Sequence, residues 1–240
     1  MSTFGAIFMH YTQRPFKNMI NYLILLGIPL GIIILNLAAA TGNLPEYVNI
    51  GEIPTFVFIV VMMTLCFQFF SGEFLHEFLN YDLRSELKWR LLASPVARST
   101  YVFAMAGAGF VTTIMQGLLI FVVMIFGFGV KLGSPLIWLP VLVVIAIMSQ
   151  LVSVLVVLFT TTKKATAAMS MTIGFAIMAT GGVLFIPPTV IPDFMFYSNP
   201  AVIGARAMMH QVDHTMLGGA NPWLNIAILA GITLSWPCLL

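Results

Sequence analysis

Charge is what this chain has least of. Of its 240 residues only 8% are Asp, Glu, Lys or Arg, against roughly 25% in ordinary soluble domains. With 60% hydrophobic residues, that scarcity excludes a soluble globular domain and makes the bilayer the solvent. A net charge of +2 is too small to draw nucleic acid. Cysteine is scarce too. Cys66 and Cys238 both lie in apolar runs and form neither a disulfide framework nor a Cys-x-x-Cys motif, so they read as small buried hydrophobes. Sixteen Met and twenty Phe suit flexible, lipid-facing helices, a Met-rich drug pocket being the sharper alternative.

Catalytic signatures are missing as well. No G-x-x-x-x-G-K-[ST] loop is present to cradle phosphate. His76-Glu77 begins like H-E-x-x-H, but position 80 is Asn, so the zinc pair fails. No G-x-S-x-G elbow appears. His210 and His214 are i,i+4 with Asp213 between them, a weak pattern for metal. The reading is of a chain with no catalytic, cofactor or metal site of its own.

What the chain does have is six apolar runs near the length of a membrane span, about 20 residues at 1.5 Å each. They are 19–41, 55–73, 101–128, 136–160, 165–186 and 223–240. The first is too long for the apolar core of a signal peptide and reads as an anchor. The sixth ends at Leu240 with Pro237 just before it and no basic tail, so either that span is short or the sequence has been cut. With the N-terminus in the cytoplasm, Arg14, Lys17, Arg84, Lys88, Arg90, Arg98, Lys163 and Lys164 fall inside, while Lys131 and Arg206 fall outside. That asymmetry sets the expected orientation. None of the six runs carries an acid or base in its interior, which argues against a proton- or sodium-driven carrier. Their polar residues are amides and hydroxyls. Asn36, Gln68, Gln116 and Gln150, with Ser149 and Ser153, serve as packing contacts between helices or line a pathway.

Three segments between and before the runs stand out. In 1–18, Phe4, Ile7, Phe8 and Tyr11 follow i, i+3, i+4, i+7 spacing with His10, Arg14 and Lys17 on a flank. That pattern predicts an interfacial helix, apolar side down, with Pro15 ending or kinking it. Residues 72–100 hold Glu73, Glu77, Asp82 and Glu86, half of the eight acids, and four of the ten Lys and Arg. Leu83, Leu87 and Leu91 form an i+4 ridge there, and Glu86 and Arg90 a favourable pair. Arg84 and Lys88 are a like-charge pair that suits a surface offered to an acidic partner. Without one, this is an ordinary solvated helix. Finally, 185–222 is too apolar for a free loop and too broken by Pro187, Pro188, Pro192 and Pro200 for a span. It reads as two short helices that dip into the outer leaflet and return, with Arg206 either an interfacial anchor or at the exit of a pathway.

Read together, the amphipathic lead-in, the inner segment from Glu73 through Arg84-Ser85-Glu86-Leu87-Lys88-Trp89-Arg90 to Ser94-Pro95, and Gly181-Gly182 through Pro187, Pro192, Asn199-Pro200 and Arg206 resemble the ABC-2 type permease family. These are membrane subunits of ATP-binding-cassette exporters. The resemblance covers nearly the whole chain. It implies an all-α integral membrane fold of six transmembrane helices, with an N-terminal interfacial helix, a cytoplasmic coupling helix and a re-entrant outer segment between spans five and six. It also implies a second permease subunit, as a homodimer, and a cytoplasmic ATPase partner that carries ATP and Mg. Glu73, Glu77, Asp82, Arg84, Glu86, Lys88, Arg90, Ser94 and Pro95 would form the ATPase-coupling region. Pro187, Pro192, Asn199, Pro200 and Arg206 would belong to the re-entrant segment. The expected location is the plasma membrane of a bacterial cell, and the expected role is export of a hydrophobic or amphipathic drug or peptide. The competing reading is a membrane-embedded sensor or immunity protein that binds a partner without transport.

Overall fold

The computed structural model describes residues 3–17, 27–32, 34, 55–84, 89, 93, 96–127, 129, 134–182, 191–210 and 221–235. Every regular element among them is helical. In chain order these are α1 (Thr3–Lys17), α2 (Thr55–Arg84), α3 (Arg98–Val122), α4 (Pro135–Phe159), α5 (Lys163–Thr180), α6 (Asp193–Ser198), α7 (Pro200–Met209) and α8 (Pro222–Ser235). A π-helical stretch, Val123–Gly127, prolongs α3. Among the described residues, Ser99–Gly127 and Pro135–Phe159 are long and apolar enough to cross a membrane, while Val60–Gly72 within α2 and Pro222–Ser235 are shorter apolar helical stretches. Residues 28–32 of the expected first span are helical. The rest of that run, including Asn36, lies outside the described residues apart from 27 and 34, as do 42–54, 183–190 with Pro187, 211–220 with Asp213 and His214, and 236–240.

The charged inner segment differs from its expected form. Rather than a separate helix from 74 onward, Phe74 to Arg84 continues α2 without a break. The 30 residues of α2 extend about 45 Å, well beyond a hydrocarbon core of about 30 Å. The helix runs on through Ser71-Gly72-Glu73, where the apolar run ends. A side chain at Gly72 would meet the Ser149 carbonyl at 2.8 Å and the hydroxyls of Ser149 and Ser153, so this glycine lets α4 approach rather than the chain turn. Likewise α1 runs through Pro15 to Lys17: a proline there forfeits one hydrogen bond close to the helix end.

Helix α5 stops at Thr180, short of the expected Ile186. Gly182 takes φ 72°, a left-handed conformation that glycine adopts without steric penalty and that commonly closes helices.

The main core joins Val61, Met62 and Leu65 of α2, Ile120 and Phe121 of α3, Val141, Leu142 and Ile145 of α4, Val202 and Ala205 of α7, and Leu229 of α8. Gly204 of α7 marks how far that short helix penetrates. Its missing side chain would touch Val141, Leu65 and Ile145 at 3.0–3.2 Å. Leu65 and Ile145 each lie ten residues in from the starts of their helices at Thr55 and Pro135, which is about 15 Å along the axis. A second, smaller cluster joins Tyr11 to Leu79, Met105, Ala108 and Val157, with Ile7 and Phe8 packed against it. Here the apolar face of α1 behaves differently from the expected membrane-facing one. Ile7, Phe8 and Tyr11 pack on protein, and Phe4 is exposed.

Candidate functional site: the junction at the end of α2

The last two turns of α2 hold three polar residues whose partners come from α1, α3, α4, α5 and the turn between the last two. Asn80 and Asp82 are buried and Arg84 half-buried. In an apolar bundle such groups are costly unless hydrogen-bonded, and each is.

Asp82 faces α1 and α3. The phenols of Tyr11 and Tyr101 both donate to its Oδ2, the latter at 2.6 Å, and the two hydroxyls also touch each other. The Arg14 guanidinium approaches the same oxygen at 3.8 Å. That cation also lies 4.6 Å from the centre of the Phe78 ring and 5.2 Å from that of Tyr81, so aromatic faces of α2 share in holding it. Burial, and then the bond to Asp82, push the Tyr11 phenol above its ordinary pKa. It therefore stays a proton donor at physiological pH.

Arg84 faces the other way. Its Nη2 donates to the carbonyls of Val157, at 3.1 Å, and Thr160. Nη1 donates to Thr166 Oγ1 at 3.0 Å. The carbonyls at a helix C-terminus have no partners within the helix and carry its negative dipole end, so a guanidinium is the side chain best fitted to them. Thr166 Oγ1 also lies 2.6 Å from Thr160 Oγ1 and 3.3 Å from Asn80 Oδ1. Lys163 Nζ sits 5.1 Å from the centre of the Tyr81 ring. The tight turn from α4 to α5 is thus pinned to α2.

Arg84 and Asp82, expected on a surface facing a partner, are instead engaged within the chain. Glu73 and Glu77 lie on α2. Glu86, Lys88, Arg90, Ser94 and Pro95 lie outside the described residues. Trp89 is 70% exposed. The sequence pattern did not flag Tyr11 and Tyr101 as polar partners of Asp82, nor Thr160 and Thr166 as partners of Arg84.

A layer of amides crosses the middle of the bundle. Gln150 Nε2 donates to Thr113 Oγ1 at 3.0 Å, Ser71 Oγ to the same atom at 2.7 Å, and Ser149 Oγ to the Gln68 carbonyl at 2.9 Å. Gln116, also buried, belongs to α3 beside them. Gln68 is 1% exposed, yet neither end of its side-chain amide finds a partner among the described residues. The layer is therefore part packing contact and part unsatisfied.

At the far end, Asn199 joins α5 to α7. Its Oδ1 caps Ala201 N at 2.8 Å, and its Nδ2 donates to the Ile177 carbonyl at 2.7 Å and Thr180 Oγ1 at 2.8 Å. Asn followed by Pro at the first helical position is a strong helix start, and Pro200 supplies it. Pro192 plays the flanking role at α6. The Arg206 guanidinium lies 5.1 Å from the centre of the Tyr197 ring.

The family model for the ABC-2 type transporter matches residues 6–212, from the first turns of α1 past the end of α7. The chain belongs to the ABC-2 type transporter family. It is therefore a membrane protein and a transport subunit, of a family that pairs with ATP-binding-cassette ATPases. The junction at the end of α2 and the Asn199 bridge both fall inside the matched region of this ABC-2 chain. No curated protein and no solved structure matches it.

Proposed function

We propose that the chain is the permease subunit of an exporter that moves a hydrophobic or amphipathic substrate out of the cytoplasm, driven by a separate ATPase at the α2 junction. The observation that carries this reading is that Asp82 and Arg84, two residues apart, tie α1, α3, α4 and α5 to one helix end. A push on that end would move four helices together. The grouping of Arg14, Arg84, Lys163 and Lys164 at the same end supports a cytoplasmic placement for it, and with it a cytoplasmic N-terminus.

In this reading Glu73, Glu77, Glu86, Lys88, Arg90, Ser94 and Pro95 contribute the docking face, while Asp82 and Arg84 relay its movement inward. The depth of α7 supports a re-entrant outer segment, since Gly204 abuts Leu65 and Ile145. Exposed Ala168, Thr172 and Ala176 at four-residue spacing on α5 support a second copy of the chain as partner, because small residues let helices approach closely in lipid.

Co-expression with the cognate nucleotide-binding subunit tests the proposal. A stable complex whose ATP hydrolysis responds to Lys88→Glu with Arg90→Glu is the expected result. A purified chain that recruits no ATPase would leave the partner-binding sensor as the better reading.

A further inference from the structure

A groove of about 290 Å3 runs between α3 and α4 beside the junction, where Ala106 and Val154 of its lining pack against the Tyr11 cluster. Phe103, Ala106 and Phe110 line one wall, and Ile147 and Leu151 the other. The α3 residues follow i, i+3, i+7 and the α4 pair i, i+4, so each helix presents one face to the groove. Both helices are the apolar, membrane-length ones, and Phe103 at the mouth is 71% exposed. The groove therefore opens toward lipid.

One polar side chain joins this lining, Gln150, 5% exposed. Its Nε2 donates to Thr113 Oγ1. Thr113 spends its own proton on the Gly109 carbonyl at 2.9 Å, so it acts as acceptor toward Gln150 and fixes which end of the amide faces it. Gln150 Oε1 is left with no donor among the described residues. A buried carbonyl oxygen without a donor is disfavoured and calls for one. The groove's walls supply no charge, so a charged ligand would lose its hydration uncompensated there.

We propose that this groove binds an uncharged hydrophobic molecule bearing a hydroxyl or amide N–H, which enters from the membrane and donates to Gln150 Oε1. The proposal deepens the export reading by naming a substrate class. It rests on that reading for the ligand's transport, not for its binding.

The test uses the full chain in lipid nanodiscs. The probe is 1-hexadecanol carrying a mid-chain diazirine, compared with the methyl ether of the same probe, and labelled peptides are read by mass spectrometry. The alcohol should label 103–110 and 147–151 about tenfold more than the ether at equal concentration. Gln150→Leu should abolish that preference while leaving ether labelling in place, and Ala106→Trp should block both probes. Equal labelling by alcohol and ether, marking a groove for acyl chains only, overturns the proposal, and so does labelling confined to other helices. Should Gln150→Leu fail to fold, the contrast between the two probes on the unmodified chain still decides. A chain that shows the preference but recruits no ATPase sinks the export reading alone. A chain that recruits its ATPase without the preference sinks this inference alone.

Discussion

The Tyr101 phenol donates to Asp82 Oδ2 at 2.6 Å, joining the first turn of α3 to the last turn of α2 across the connection 85–97, which carries Glu86, Lys88 and Arg90. Two residues on, Arg84 performs the same service for α4 and α5. Charges that a sequence reader assigns to a partner's surface thus serve to fasten the chain to itself. Any ATPase that docks on the rest of the segment would meet a helix end already fixed to its neighbours.

Removing the carboxylate tests that fastening directly. Asp82→Ala leaves two buried phenols and the Arg14 cation without their shared acceptor, at a cost of about 3 kcal/mol. Asp82→Asn keeps an acceptor oxygen and should cost clearly less. Thermal unfolding in detergent measures both, and equal stability of the two variants would remove the clamp from the account.

Alkaline pH offers a second handle on the same site. The folded-state pKa of Tyr11 lies above its ordinary value, near 10. Its contribution to stability is therefore complete below about pH 10 and declines as pH rises through the folded value, because the folded chain holds the proton that the unfolded chain releases. Between pH 9 and pH 11 the melting temperature should fall less in Tyr11→Phe than in the unmodified chain. An identical fall in both would show that Tyr11 does not titrate differently on folding.

Arg84→Ala should destabilise by about 2 kcal/mol through loss of charged hydrogen bonds to the end of α4. Arg84→Lys should recover part of this, since a lysine can reach a carbonyl but cannot bridge three acceptors at once. If Arg84→Ala leaves unfolding unchanged yet abolishes ATPase association, the residue serves the partner and not the fold.

Two glycines should respond unequally to alanine. At Gly72 the new carbon would lie 2.8 Å from the backbone oxygen of Ser149, which cannot move without shifting α4, so Gly72→Ala should cost about 2 kcal/mol or more. At Gly204 the neighbours are side-chain methyl groups rather than backbone, at 3.0–3.2 Å, and about 1 kcal/mol is expected. A reversed order in a urea or thermal series would contradict the packing of α2 on α4.

Asn199→Ala removes a helix cap and two bridging bonds to α5, for a loss of about 2 kcal/mol. Asn199→Asp keeps the cap but not the donation to Ile177 and Thr180. It should fall between alanine and the original in thermal stability. A silent Asn199→Ala would detach the bridge from the stability of the bundle.

Much of this was legible in the sequence, because it rests on local or compositional physics. An 8% charge content dictates a membrane environment whatever the fold. The apolar runs 101–128 and 136–160 mark α3 and α4 within a few residues, since length and apolarity alone make such helices. Asn199-Pro200 announces a helix start because cap and first-turn preferences act between adjacent residues.

The end of α2 was not legible in this way. Arg84 reads as surface charge because its partners, Val157, Thr160 and Thr166, lie more than 70 residues along the chain. Asp82 finds Tyr11 71 residues away. That Gly72 is a contact was equally hidden, for only the approach of α4 reveals what a side chain there would strike. The sequence by itself determined that this chain lives in lipid as helices. The tertiary structure alone decided which of its few charges stay within the fold, because a buried charge is settled by whatever distant donor or acceptor the packing brings to it.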